Sequence, residues 1–402
     1  MSDAEDTKKL IYIRKTYIEK LFFYAYIYNI YRKAAFLYIS KEVSMDEYQI
    51  IPLPLPNMET LETRAVLKKL SSANRYLAEL KGVVSSIPNE AILINTLALQ
   101  EAKHSSEIEN IVTTNDELFK AELDIVNQSL ATKEVQNYTQ ALKSSFDTVR
   151  KSGIIRLSEI LVIQEELEKN VAGFRKLPGT TLKNSQGDIV YTPPQHGDDI
   201  KVLMDNLTTF INDDEICDLD PLVKMAVIHH QFESIHPFYD GNGRTGRILN
   251  ILYLVAQGLL DLPVLYLSHY LIRHKADYYH YLQHVRDTGD WEGWLLFMLD
   301  SVEETSKSTI TLIKDIKALI QAYKLKMRKE KPKIYRQELL NNLFNHPYTK
   351  IEFVMDDLDV SRITATKYLD ELTDIGLLQK EKVGRSSYYI NIELLQLLMN
   401  RA

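Results

Sequence analysis

Between two helical stretches the chain carries His236-Pro-Phe-Tyr-Asp240-Gly-Asn-Gly-Arg244-Thr-Gly-Arg247, which gathers an imidazole, a carboxylate, two guanidinium groups and three glycines. Gly241 and Gly243 permit backbone conformations closed to other residues, so successive N–H groups can converge on an anion. A helix beginning near Gly243 adds the positive end of its dipole. Arg244 and Arg247, three apart, share a helical face and can reach a single polyphosphate. Asp240, just ahead of the cradle, is placed to share a Mg²⁺ ion with phosphate oxygens. His236 is the candidate base, because an imidazole titrates near neutrality. The chemistry suited to this set is the gripping of a polyphosphate beside a proton acceptor.

Plainer readings account for less. Gly241 to Gly246 satisfies G-x-G-x-x-G, but that fingerprint needs a preceding strand, and Val223 to Phe232 reads as helix. The G-K-(S/T) ending of a Walker loop is absent. His229, His230 and His236 lack both the H-E-x-x-H spacing and the cysteines that would support zinc. A helix-capping glycine explains one glycine of the three.

The elements that must hold this string are mostly helical. Ile51-Pro-Leu-Pro-Leu-Pro-Asn57 cannot be helix and marks a boundary. From Glu59 to about Leu142 apolar residues recur at three and four, as in Leu67, Leu70, Leu77 and Leu80, which predicts helix. Further helices are expected over roughly 157–173, 221–235, 244–258, 266–287 and 291–330. Leu182 to Thr192 places a turn-rich Asn-Ser-Gln-Gly between short extended pieces, a hairpin signal ended by Pro193 and Pro194. After Tyr335 come short helices, a helix starting at Ser361, and a polar turn, Lys382 to Ser386, before Tyr388-Tyr-Ile390. That order resembles a winged helix-turn-helix.

A chain of 402 residues with a net charge of -7 is expected to be multidomain and is no whole-chain polyanion binder. The lone Cys217 predicts a reducing, cytoplasmic setting. The apolar run Leu21–Tyr31 is too short to span a bilayer and reads as a packing helix, so no membrane association is expected. Acidic Asp3, Glu5 and Asp6 ahead of it disfavour a signal peptide, and Met45 is a second possible start.

The 236–247 string matches the signature of the Fic family, H-P-F-x-(D/E)-G-N-G-R-x-x-R, at every specified position. The resemblance extends to most of the chain: Leu53 to about Asn110 is similar to the family's N-terminal helical region, 140–300 to its core, and Gly289-Asp-Trp291 to its closing helix. It implies a mainly α fold with a β-hairpin flap, divided as an N-terminal helical extension (1–48), an N-terminal region with an inhibitory helix (49–135), a catalytic core (136–305), a linker helix (306–333) and a winged helix (334–402). It also implies a protein adenylyltransferase that moves AMP from ATP to a Tyr, Thr or Ser hydroxyl. Carried onto this sequence, His236 takes the target's proton and Asp240 holds Mg²⁺. Gly241, Asn242 and Gly243 form the anion cradle, with Arg244 on the β- or γ-phosphate and Arg247 on the γ-phosphate. Phe238 is a core anchor. The 182–192 hairpin resembles the flap that docks the target by strand addition. Tyr278, Tyr279 and Leu282 are candidates for lining the adenine pocket, although His274 stands where the family often has Asn.

Ser105-Ser-Glu-Ile-Glu109-Asn110 matches the family's inhibitory motif, (S/T)-x-x-x-E-(G/N), in the class whose brake precedes the core. The resemblance implies that Glu109 pairs with Arg247 and occupies the fork that the γ-phosphate needs. Two other functions stay open. A DNA-binding regulator would use Arg362, Thr364, Thr366 and Lys367 on a recognition helix, with Lys380, Lys382 and Arg385 at the wing. Asp356, Asp357 and Asp359 beside that helix speak against it, and a protein-contact or homodimer module is favoured. Alternatively, the same fold transfers another phosphate-containing group. Self-modification, the target and AMP removal are not decided by the sequence.

Overall fold

The computed structural model describes residues 50–400 apart from 88, 122–127, 185 and 384–385. The expected N-terminal extension with its Leu21–Tyr31 helix, and Arg385 at the wing, lie outside the described residues. The stretch from Glu59 to Leu142 is a series of helices: α1 (Arg64–Val84), α2 (Glu90–Ile108), α3 (Asn115–Ala121) and α4 (Leu130–Ser152). Capping chemistry sets the breaks. The Asn89 side chain accepts from the Ala91 N–H, and the Ser129 hydroxyl accepts from the Thr132 N–H. Asn110 adopts a left-handed conformation (φ 63°) just past α2.

α5 (Leu157–Glu168) is shorter than the expected 157–173, because Lys169 turns left-handed and closes it. β1 (Leu182–Lys183) and β2 (Ile189–Tyr191) form the expected antiparallel hairpin, with Leu182 opposite Tyr191. α6 (Gly197–Asn212) was not anticipated; it buries Ile200, Leu203, Met204, Leu207, Phe210 and Ile211 along one stripe.

α7 (Pro221–Ile235) and α8 (Asn242–Ala256) are the central helices of the core. From Leu222 to Ile235 every residue of α7 is buried. Pro221 at its first turn and the Asp220 carboxylate, which accepts from the Leu222 N–H, define where it starts. Each fully buried Leu, Ile or Phe stabilises by about 1.5–3 kcal/mol, so this pair is the rigid base on which the 236–247 string stands. The expected 266–287 helix is instead α9 (Ser268–Arg273) and α10 (Lys275–Thr288), hinged at His274 (φ −118°, ψ 34°). No glycine or proline marks that hinge.

α11 (Glu292–Glu330) runs along α1 and anchors through Trp294, whose Nε1 donates to the Ala226 carbonyl (3.0 Å). Beyond it come α12 (Gln337–Asn345), β3 (Tyr348–Lys350), α13 (Ile351–Leu358), α14 (Arg362–Asp374), β4 (Gln379–Val383), β5 (Ser386–Ile390) and α15 (Ile392–Asn400). The three strands make an antiparallel sheet in the order β3-β5-β4. The expected boundaries at 135/136 and 305/306 fall inside α4 and α11, which run unbroken across them. No described helix is long and apolar enough to cross a membrane.

Candidate active site

His236 closes α7 in a left-handed conformation (φ 48°, ψ 59°), its N–H donating to the Phe232 carbonyl (2.9 Å). Pro237 has no N–H with which to continue the helix. The turn that follows is clamped by Asn242. Its Oδ1 accepts from the Phe238 N–H (2.8 Å) and its Nδ2 donates to the Phe238 carbonyl (2.9 Å). The Asn242 side chain therefore shapes the cradle and does not face into it. Phe238 is fully buried, as expected of a core anchor. Gly241, at φ 80°, is the N-cap of α8, and the helix starts at Asn242. Arg175 straps the turn from outside, its Nε donating to the His236 carbonyl (2.7 Å) and its backbone N–H to the Pro237 carbonyl (2.9 Å).

The two arginines have different surroundings. Arg247 is buried, and its Nε donates to Ser105 Oγ (2.8 Å), while its Nη2 donates to the Ser105 carbonyl (2.9 Å) and to Glu109 Oε1 (2.7 Å). The Ser105–Asn110 segment at the end of α2 thus sits on the last arginine of the string. Burial works against the Glu109 carboxylate, but Arg247, with Arg244 and Lys275 behind it, outweighs burial and holds the carboxyl below its ordinary range. Burial also disfavours the charged Arg247, yet Glu109 keeps it firmly protonated. Arg244 is engaged elsewhere: Nη1 donates to Glu134 (3.0 Å) and Nη2 to Glu168 (2.7 Å), with Asp240 at 3.8 Å. Asn110, the last residue of the motif, accepts a hydrogen bond from Lys275 Nζ (3.1 Å).

α2 is itself pinned. Buried Glu101 accepts from the Tyr138 hydroxyl (3.0 Å), from the Ser268 N–H (3.1 Å) and from the Ser268 hydroxyl. Burial raises its carboxyl, and those hydrogen bonds pull the other way.

Glu109 stands where two cavities meet. One, of about 760 Å³, runs past Gly243 and Arg247 to Tyr278, Tyr279 and the flap. The other, of about 380 Å³, holds Asp240, Gly241 and Arg244. His236 and Gly243 line both. A Cβ on Gly243 would collide with the Glu109 carboxylate and come 2.9 Å from Arg247 Nη1, so any larger residue would push the fork and the carboxylate out of their present positions. Burial pushes the His236 imidazole down to about 4, helped by the nearby Arg175 and Arg286. It is therefore neutral and able to accept a proton at physiological pH.

The Tyr278 hydroxyl bonds His229 Nε2 (2.9 Å), whereas Tyr279 is half-exposed on the cavity wall. His230 Nε2 meets the Leu282 carbonyl (3.2 Å). Burial lowers both histidines to about 3, and among the described residues no group of three His, Cys, Asp or Glu is arranged to hold a metal. Asp240 is different: its side chain is 78 % exposed at the mouth of the cradle. One open carboxylate fits Mg²⁺, which binds through one or two carboxylates plus water and phosphate. The flap reaches the larger cavity through Leu182, Lys183 and Val190, and Tyr191 anchors it by donating to the Ser234 carbonyl (3.0 Å).

The sequence reading missed Arg175, Glu134, Glu168, Lys275, Arg286 and Glu233. The first five lie far from the string, and only contacts across the fold reveal them. Glu233 lies one turn before His236 on α7, and the i, i+3 spacing was a usable signal.

The helical core with its glycine cradle and hairpin flap is the Fic fold. Among solved structures it resembles a Fic family protein from Desulfovibrio desulfuricans G20 (TM-score 0.51, 19% identity, 82% of this chain and 96% of that one). It also resembles Fic-1 from C. elegans (TM-score 0.50, 20% identity, 64% and 75%). Three family profiles match: Fic/DOC family N-terminal over 67–147, Fic/DOC family over 154–254, and Protein adenylyltransferase SoFic-like, C-terminal domain, over 319–394. The chain belongs to the Fic/DOC family. Relatives named Protein adenylyltransferase Fic include one from Aedes aegypti, 29% identical over 249 residues (61% of this chain, 45% of the relative). Another, from Drosophila virilis, is 26% identical over 271 residues (65% and 49%). The chain spans less than half the length of these curated relatives.

Proposed function

We propose that the chain is a protein adenylyltransferase held off by its own Glu109. The target hydroxyl oxygen attacks the α-phosphorus of ATP, the bond from that phosphorus to the α,β-bridging oxygen breaks, and pyrophosphate leaves with the electron pair. Neutral His236 takes the hydroxyl proton. Arg247 and the N–H groups at the start of α8 bind phosphate oxygens, and Asp240 would hold Mg²⁺, which supplies charge neutralisation when bound. Val190 and the exposed β2 edge offer the target main-chain pairing, which fixes the hydroxyl with little demand on sequence. The observation that carries the reading is the 2.7 Å pair between Glu109 and Arg247 beside His236. A carboxylate there takes the fork that a terminal phosphate needs, so the resting state is inhibited. The lone Cys217 supports a reducing, cytoplasmic setting.

Incubation with ATP labelled on the α- or the γ-phosphate, with Mg²⁺, tests this. The Glu109→Gly chain should label itself from α-labelled ATP only, and adding His236→Ala should abolish labelling. Label arriving from the γ-phosphate, or no gain over the wild type, overturns the reading.

For the C-terminal unit we favour contact with protein, including a second copy of the chain, over DNA. Three cations of the would-be reading surface are already paired: Arg362 with Glu352 (2.6 Å), Lys380 with Asp370 (2.7 Å) and Lys367 with Glu371 (3.9 Å). Their carboxylates oppose the phosphate contacts that DNA binding requires.

A further inference from the structure

Glu233 is a buried carboxylate without a task in the scheme above. It exposes 7 % of its surface on the wall of the 760 Å³ cavity, and its Oε1 accepts no hydrogen bond from a described residue. α8 makes room for it, since a Cβ on Gly246 would sit 2.9 Å from that oxygen. A buried carboxylate without donors is costly, and burial pushes this carboxyl up to about 7 despite the nearby Arg247. Such a group is kept when a ligand brings the missing donor.

Its position narrows the donor. The cavity has a cationic end at Arg247 and Gly243 and an aromatic end at Tyr278 and Tyr279. Glu233 is close enough to act electrostatically on Arg247 at one end and on both tyrosines at the other. A nucleotide laid along this axis, phosphates on the arginine and base on the tyrosines, puts its sugar between them. The ribose hydroxyls are the donors found there, and acidic side chains bind ribose hydroxyls elsewhere for the same reason.

The geometry points to Glu233 as the ribose-binding residue, making the cavity selective for ribonucleotides over their deoxy counterparts. The assignment rests on the nucleotide reading of the cavity. Other polar clusters carry less: Glu134 and Glu168 are already paired with Arg244, and the His104–His269 pair, with His269 only half-buried, lines neither cavity at Glu109.

Calorimetric titration of the Glu109→Gly chain with ATP, 2′-deoxy-ATP and 3′-deoxy-ATP, each with Mg²⁺, tests it. ATP should bind roughly ten- to a hundredfold more tightly than at least one deoxy analogue, the range for losing a hydrogen bond to a charged group. Adding Glu233→Leu should weaken ATP to the level of that analogue and abolish the discrimination. Glu233→Gln, which keeps volume and one acceptor, should retain part of it and guards against a folding defect in the leucine chain. Equal binding of all three nucleotides by the Glu109→Gly chain overturns the ribose assignment alone, as does discrimination that survives in the leucine chain. Failure to bind ATP at all overturns the nucleotide reading and this assignment with it.

Discussion

Replacing Glu109 by Ala removes the carboxylate proposed to act as the brake without the extra backbone freedom of glycine. Its cost follows from the two ends of the pair. Arg247 exposes 1 % of its side chain and Glu109 34 %. Breaking a fully buried pair costs about 3–5 kcal/mol, and an exposed pair is worth about 0–1. Here the buried partner keeps its bonds to the Ser105 hydroxyl and carbonyl, so an intermediate figure of about 2 kcal/mol is expected. That is about a thirtyfold loss in the folding constant and a fall of about 4–8 °C in the Tm of the core. A triphosphate should replace the lost carboxylate. At ATP·Mg²⁺ near 100 times its Kd the variant should regain about 2.7 kcal/mol. The wild type should gain less, because the nucleotide must first displace Glu109. Thermal melts of both chains with and without ATP·Mg²⁺ measure all four states. A Glu109→Ala chain as stable as the wild type, or a wild type that gains as much from ATP, would refute the competition argument.

Two further outcomes follow from the same contacts. The free imidazole of His236 is held down to about 4 instead of 6.5, and loss of Glu109, which favours its protonated form, cannot raise it. The acid limb of kcat/KM for ATP in the Glu109→Gly chain, which reports the nucleotide-free protein, should therefore lie near pH 4, and a limb at 6.5 contradicts the assignment. Below pH 6.5 the unfolded imidazole binds a proton that the folded one refuses, so this group makes the fold less stable as pH falls toward 4. Glu109, whose carboxyl is lowered, keeps its pair above the unfolded value of 4.5 and loses it only as pH drops through the lower folded value. Mild acid should not release the brake. Gly243→Ala meets no backbone objection, because this glycine is helical, but its methyl invades the Glu109–Arg247 contact. In the Glu109→Ala background, where that contact is already gone, Gly243→Ala should change Tm little, while ATP affinity measured by calorimetry falls about tenfold or more. Unchanged affinity would remove Gly243 from the cradle.

The sequence made the site legible where spacing encodes geometry. The string from His236 to Arg247 needs only one helix end, one turn and one helix start to bring its groups together, and all three follow from local rules. The approach of Glu109 to Arg247 could not be derived that way; it came from a short motif whose meaning depends on the company it keeps. Arg244 shows the limit. Its spacing matches that of Arg247, yet Glu134 and Glu168, supplied by two other helices, take up its donors. The split between α9 and α10 at His274 was hidden because no breaker residue marks it, and α6 was missed although its apolar stripe is regular. The first depends on packing against α2 and α11, whereas the stripe of α6 was a usable local signal.

α11 joins places that are distant in the molecule. At about 1.5 Å per residue its 39 residues make a rod of about 58 Å. Near one end Trp294 stacks on His229, beneath the cleft; near the other the Tyr323 hydroxyl reaches the Leu377 carbonyl (3.0 Å) and Asn391 (2.8 Å) in the C-terminal unit. That unit then returns to the segment just downstream of Glu109, where Tyr348 donates to Asp116 (2.7 Å) and stacks on Phe119. These contacts close a ring of packed elements that joins the C-terminal unit to the chain just beyond Glu109. Removing the C-terminal unit opens that ring, and comparing the self-labelling rates of the shortened and whole chains measures how far it bears on Glu109.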